Sequence, residues 1–300
     1  MCRGLFYIVI RKRAKTGVIF VKRGEEMSGH RFQTLGLSIL VVLGITSATN
    51  ASALRKPQNV VFCSDPKGCP DLGAGIIQPK IQNQNFTANS CAVIEGEIDL
   101  SSGTTRRLLR FSSTTPNVGP GDLKLGDPAN GPNKNFYEFA PCHGHYHFSD
   151  YAAYRLWTPL DYATWKQRRS NSQFNDVPSN LLIQGKGADG QDNYATYGNP
   201  LNPVKGHKQG FCAIDITNIP KFPNAAKRTY TVCGTPTSPG NQGISIGWAD
   251  EYTFDLDGQW IDITLVPPGT YVLEVEANPG WQIEETDYFD NSKVMSVVIK

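Results

Sequence analysis

Cys142-His143-Gly144-His145-Tyr146-His147 gathers three of the chain's five histidines into five residues, one at every second position. On an extended strand, residues i, i+2 and i+4 project from one face. His143, His145 and His147 would therefore point the same way. A flat strand would hold the outer two ~13 Å apart at Cα, so convergence on one ion requires a bend, which Gly144 permits. Neutral imidazole is the commonest metal ligand, and three on one face leave coordination positions open. Zinc, copper, iron and nickel all accept such donors. Zinc would imply hydrolysis by an activated water and copper would imply redox chemistry; the cluster alone does not choose. A pH-sensitive or merely aromatic strip is the bland alternative, and it suits a single histidine better than three.

A second group of candidate ligands lies in "EETDYFDN", where Glu285, Asp287, Asp290 and Asn291 fall within seven residues. Dense hard oxygen donors suit Ca2+, although a solvated acidic turn has the same composition. The cysteines are Cys2, Cys63, Cys69, Cys91, Cys142, Cys212 and Cys233. None of their spacings is Cys-x-x-Cys, which argues against thiolate zinc sites and thioredoxin-type chemistry. Cys63 and Cys69 enclose the turn-rich "SDPKG", a loop that can close on itself. Spacing does not fix the other pairings.

The elements that must position these residues read as mainly β. Gly (29) and Pro (20) are frequent, and no long Ala/Leu/Glu/Lys-rich stretch appears. The apolar run "LGLSILVVLGITSA" (Leu35 to Ala48) precedes Ala51-Ser52-Ala53, an A-x-A-like cleavage site, and reads as a secretory signal peptide. Its 14 residues fall short of the roughly 20 that a membrane span needs. Residues 1–53 are thus expected to be an N-terminal extension and signal peptide. The signal itself would occupy 27–53, with Met27 as an alternative start, and 54–300 would be the working domain, secreted or extracytoplasmic. Without residues 1–53 the chain keeps six cysteines, an even number that suits disulfides in an exported protein. It also carries 21 basic and 25 acidic residues, net −4, which gives no footing for nucleic acid.

Along that domain, residues 54–90 read as polar and irregular, and "RRLLRFSS" (Arg106 to Ser113) reads as a strand. Residues Thr114 to Asn135 read as a long loop, and a short helix is expected near Pro159 to Ser170. A Gly/Asn-rich loop is expected over Gly185 to Pro203, and "QWIDIT", "TYVLEVEA" and "KVMSVVI" read as strands. The sum is a β-sandwich-like domain with long loops and few short helices.

Several segments resemble one known family in the same order along the chain. "HGHYHFSDYAAYRL" resembles the copper-binding segment of the lysyl oxidases. "GHKQGFC" (Gly206 to Cys212), "GISIGWADEYTFDLDGQWIDITLVPPGTYVL" (Gly243 to Leu273), "EETDYFDNS", "LLRF" and "PDLG" resemble further family segments, so that the likeness covers roughly residues 60 to 300.

The resemblance implies a copper-dependent amine oxidase with His143, His145 and His147 on copper. Its cofactor would be lysine tyrosylquinone, built from Lys208 and Tyr252. Such an enzyme uses O2 to convert primary amines, free or as peptidyl lysine, to aldehydes, with release of H2O2 and ammonia. Asp71 and the Leu72 carbonyl would join Glu285, Asp287, Asp290 and Asn291 around a structural calcium. By the same likeness Cys142 pairs with Cys233, while the pairing of Cys91 and Cys212 stays open. The chain departs from animal relatives in two cysteines: the one closing the loop after "FC" is absent, and Gly258 stands where they have the cysteine of "DCQW". The proton-abstracting base stays open among Asp250, Asp255, Asp257 and His207, with Asp250 on the Tyr252 face of a strand. Two rivals remain: a copper-binding extracellular structural protein with no mature quinone, and a zinc-dependent hydrolase, against which stands the lack of a glutamate beside the histidines in sequence. No stable membrane span is expected.

Overall fold

The computed structural model describes residues 9–12, 15–18, 61–171, 204–206 and 210–300. Compactness divides the chain into Met1–Asn50 and Ala51–Lys300. The first unit contains an antiparallel pair, β1 (Val9–Lys12) and β2 (Lys15–Val18). The leader-like run Leu35 to Ala48 and the loop Gly185 to Pro203 lie outside the described residues. Among the described residues, no helix is long and apolar enough to cross a membrane.

The second unit is mainly β. It opens with β3 (Gly75–Asn85), the short helix α1 (Cys91–Ile94) and β4 (Thr105–Pro116). Then come β5 (Leu123–Gly126), β6 (Tyr137–Ala140), β7 (His145–Phe148), β8 (Ala152–Trp157) and the helix α2 (Pro159–Asn171). The remaining strands are β9 (Val204–Lys205), β10 (Thr217–Asn218), β11 (Gln242–Ile244), β12 (Trp248–Tyr252), β13 (Trp260–Asp262), β14 (Gly269–Ala277) and β15 (Ser292–Ile299).

Two antiparallel sheets form the sandwich. One runs β10-β12-β4-β13, with β3 along the other edge of β4; the second runs β15-β14-β8-β9. Leu109 and Phe111 of β4 and Ile261 of β13 share one core with Tyr154 and Leu156 of β8 and Leu273 and Val275 of β14. The rings of Phe111 and Tyr154 meet edge to face across it, centroids 4.8 Å apart. β4 is buried on both faces. Its Leu108 turns away from that core into a second cluster with Phe86, Ala92, Ile98 and Trp260, which anchors α1 through Ala92.

The opposite face of β8, against Trp165 of α2, holds charge. Arg155 of β8 is buried and its Nη1 donates to Glu274 Oε2 (3.1 Å) and Glu276 Oε2 (2.5 Å) on β14. Trp157 Nε1 donates to the same Glu274 oxygen at 2.7 Å. A buried carboxylate is tolerable only with such partners.

The strands expected at Arg106 to Ser113 and near the C-terminus are present, as is the helix after Pro159. Two expectations fail. Residues 54–90 are not all irregular, because β3 occupies eleven of them. Most of its side chains face solvent on both sides, so no apolar alternation marked it, and a register shift between Ile77 and Lys80 interrupts its pairing around Pro79. The loop expected over Thr114 to Asn135 begins inside β4 and contains β5.

Candidate metal and cofactor site

β6 and β7 form a hairpin in which Ala140 pairs with His145 and Tyr137 with Phe148. Residues 141–144 make the turn. Gly144 closes it with an amide donating to Ala140 O at 2.8 Å, in left-handed backbone (φ +71°) that suits glycine. The turn replaces the flat strand at the point where a bend was expected. His143 sits in the turn, while His145 and His147 lie on β7. The three rings converge, with centroids 5.9 Å (His143–His145), 5.2 Å (His143–His147) and 5.0 Å (His145–His147) apart.

The Nε2 atoms of His145 and His147 are 3.2 Å apart. Two nitrogens on one ion with bonds of ~2.0–2.1 Å lie about 3 Å from each other, so this spacing fits a shared metal. His143 Nδ1 faces Glu95, 3.1 Å from Oε1 and 3.0 Å from Oε2, which leaves its Nε2 for the ion. His147 is buried and the other two rings are half-buried, so the group is open on one side.

A short connection leads from this hairpin to Tyr252. Phe148 and Phe211 exchange backbone hydrogen bonds at 2.7 and 3.1 Å. A Cβ on Gly210 would stand 3.1 Å from His147 Cβ, so this position needs its small residue. The Phe211 ring meets the Tyr252 ring edge to face at 4.7 Å, and the Tyr252 hydroxyl donates to Cys212 O at 2.6 Å. Residues 210–212 thus touch both the histidine hairpin and Tyr252. Gly206 is held by its amide donating to Tyr154 O at 2.9 Å. Lys208 and His207 themselves lie outside the described residues.

Asp250, two residues before Tyr252 on β12, is buried, and no side chain among the described residues hydrogen-bonds its carboxyl; only backbone amides approach it. Burial pushes its pKa well above the ordinary carboxylate value, only partly offset by the Ile214 and Glu251 amides. Burial first, and then Asp250, raise the Tyr252 phenol well above its usual value. The buried hydroxyl of Tyr151 approaches Thr115 and feels the same carboxylate. Asp255 and Asp257 lie beyond the end of β12, in a turn where Asp255 is exposed. Of the described base candidates, only Asp250 is buried beside Tyr252.

Around Glu285 the structure gathers part of the second ligand group, and Leu72 turns towards it its amide rather than the expected carbonyl. Glu285 is buried and accepts from the Leu72 amide at 2.7 Å, from Asn278 Nδ2 at 2.5 Å and from Asn291 Nδ2 at 2.7 Å. Asp71 Oδ1 and Asn291 Oδ1 are buried without a partner among the described residues. Burial raises the Asp71 carboxyl, and the charges of Asp290 and Asp287 raise it further. Unpartnered oxygens beside repelling carboxylates are what a hard cation would relieve.

The disulfides correct one expectation. Cys63–Cys69 closes its short loop, but Cys142 bonds to Cys91 and Cys233 bonds to Cys212. α1, held against the Leu108 cluster, carries Cys91 to the residue before His143, while Cys212 lies beside the loop that contains Cys233. The histidine hairpin stays tied to that loop without a covalent bond. Tyr146 donates its amide to Gly234 O at 3.2 Å, and the buried Gln242 donates from Nε2 to Tyr146 O and Cys233 O, both at 2.8 Å. Sequence reasoning missed Glu95 and Gln242. Nothing in the sequence pointed to Gln242; a correct Cys91–Cys142 pairing would have drawn Glu95 to the histidines.

A three-histidine hairpin, a tyrosine reached through one short connection and three disulfides together define a disulfide-bonded, mainly β protein with a candidate metal site. The sequence model for Lysyl oxidase matches residues 199–299. Curated relatives extend the likeness over 77% of this chain: lysyl oxidase homolog 3 of Homo sapiens is 30% identical over 241 residues, and lysyl oxidase homolog 2 of Bos taurus is 29% identical over 239. Lysyl oxidase homolog 3B of Danio rerio is 28% identical over 240 residues. This chain belongs to the lysyl oxidase family. It spans about a quarter of the length of these relatives, 25%, 24% and 23% respectively.

Proposed function

We propose that the chain is a secreted copper-dependent amine oxidase that converts primary amines, small or as peptidyl lysine, to aldehydes. The observation that carries this reading is the convergence of His143, His145 and His147, with residues 210–212 linking the same hairpin to Tyr252. The donor set of three imidazoles suits copper. When present, copper and a quinone made from Lys208 and Tyr252 would supply the electrophilic carbonyl and the electron sink through which O2 oxidises the amine, giving H2O2 and ammonia.

The chain's own residues do the rest. The three histidines hold the metal, and the Cys212 carbonyl orients the Tyr252 ring through its hydroxyl. Lys208 is two residues from Gly210, which packs on His147. Asp250 takes the proton from the carbon bearing the substrate nitrogen. Its burial makes it a stronger base than an exposed aspartate once it is ionised. Asp71, Leu72, Glu285, Asp287, Asp290 and Asn291 hold a structural calcium. Disulfides support an oxidising, extracytoplasmic setting. A zinc hydrolase is disfavoured: a glutamate does stand beside the histidines, but Glu95 lies against His143 Nδ1 rather than on the open side.

The test is peptide mapping of the copper-loaded full chain. A single branched peptide joining the Lys208 and Tyr252 sites, labelled by phenylhydrazine, is expected in place of the two separate peptides. Recovery of both peptides unmodified from a preparation that oxidises amines would refute the mechanism.

A further inference from the structure

α1 is four residues long, and Glu95 at its C-terminal cap stands 48 positions from His143, the histidine it meets. Its last turn ends at Glu95, whose side chain is only 6% exposed. Removing a carboxylate from water is costly unless polar partners compensate. The partners of Glu95 among the described residues are the Cys142 amide (3.3 Å to Oε1) and His143 Nδ1 (3.1 Å to Oε1, 3.0 Å to Oε2). Nothing on its own helix offers its side chain a hydrogen bond. The helix is held in place from two sides, by Ala92 in the Leu108 cluster and by the Cys91–Cys142 disulfide four residues before Glu95. The carboxylate is thus delivered to the back of one imidazole by a packed and covalently stapled support.

The chemistry of that contact is directional. A carboxylate only accepts, so the proton of a neutral His143 must sit on Nδ1, and the lone pair is then on Nε2, the nitrogen left for the ion. Free imidazole does not hold this tautomer by itself, and a carboxylate behind a ligating histidine supplies the acceptor that fixes it. We propose that Glu95 is the positioning residue of the metal centre. It fixes the Nδ1–H tautomer and the ring orientation of His143, so that Nε2 is presented with the Nε2 atoms of His145 and His147. The proposal deepens the copper reading and rests on it for the identity of the metal, but the tautomer is a property of the metal-free protein.

The test therefore has two arms. In the first, metal-free full-length protein labelled with 15N-histidine is studied by long-range 1H–15N correlation at about pH 8.5, where ordinary imidazoles are neutral. Wild type should show His143 protonated on Nδ1. Glu95→Ala should shift His143 towards the Nε2–H form with the His145 and His147 signals in place, and Glu95→Gln should keep Nδ1–H, because its carbonyl still accepts. In the second arm, Cu(II) affinity is measured by chelator competition. Glu95→Ala should weaken it by roughly 10–100-fold and Glu95→Gln by less.

An Nε2–H His143 in wild type, or a His143 tautomer unchanged in Glu95→Ala, would overturn the proposal. So would unchanged copper affinity in a folded Glu95→Ala. Wild type that shows the expected tautomer and its loss in Glu95→Ala, yet binds no copper, would sink the copper reading while leaving the role of Glu95 at His143 standing.

Discussion

Three imidazoles on one ion would leave only two donors when one is lost. His143→Ala, His145→Ala and His147→Ala should each weaken copper binding by more than the roughly 10–100-fold that loss of an outer partner costs, with amine oxidation abolished. Full activity in any one purified variant would remove that residue from the ligand set. Tyr252→Phe and Lys208→Ala separate metal binding from cofactor chemistry. Both should retain copper, since neither removes an imidazole, and neither should yield the cross-linked peptide. Copper loss in Tyr252→Phe would mean that the tyrosine is itself a ligand. Gly144 offers a subtler probe. A Cβ there meets nothing within 4 Å, so the cost of Gly144→Ala is that of left-handed backbone alone, about 1–2 kcal/mol. Thermal unfolding should register it, and copper affinity should fall as His143 is displaced.

At the level of elements, the hairpin and its partners depend on α1. Replacing Cys91 and Cys142 together by serine opens a bridge between positions 51 apart and should cost about 2–4 kcal/mol of stability. If α1 is the support of His143, copper affinity should fall in the same variant; a loss of stability with unchanged affinity would show that Ala92 packing alone suffices. What could be read in advance follows the local physics. β4, β14 and β15 carry apolar residues dense enough to mark them as strands, and the alternating histidines marked their own cluster though not the hairpin that forms it. β3 was invisible because an edge strand with both faces largely wet has no apolar period. The true disulfide partners were invisible because pairing depends on where α1 packs, which spacing does not encode. Glu95 was out of sight for the same reason.

On the scale of the molecule, the acidic loop ties the beginning of the domain to its end. Burial raises the Glu285 carboxyl from an ordinary 4.5 to about 8, against the pull of its three N–H donors. A folded-state pKa above the unfolded value means that the native state holds the extra proton. Stability of the calcium-free protein should therefore fall as pH rises from the ordinary glutamate range to about 8 and change little beyond. Ca2+ favours the ionised form, so its stabilisation should grow over the same interval, reaching about 2.7 kcal/mol at a hundredfold excess over its dissociation constant. Melting curves with chelator and with Ca2+ across this range, for wild type and Glu285→Gln, check both signs. Identical pH profiles for the two proteins would show that Glu285 does not titrate there, and indifference to Ca2+ would leave a solvated acidic turn.

The same seam has a consequence for synthesis. Val61 donates to Gln282 O at 2.7 Å and accepts from the Glu284 amide at 2.9 Å, and Cys63 meets the Glu284 carboxylate across 221 positions. A chain emerging from the ribosome must therefore hold this opening stretch without its partners until nearly the whole domain has been translated. Its own disulfide, Cys63–Cys69, can close long before then, whereas the contacts that bury it come last. Pulse-labelled chains halted before residue 282 should show the 61–72 region open to protease while the Cys91–Cys142 bridge is already formed. The segment that seals the opening stretch is thus made long after the stretch it covers.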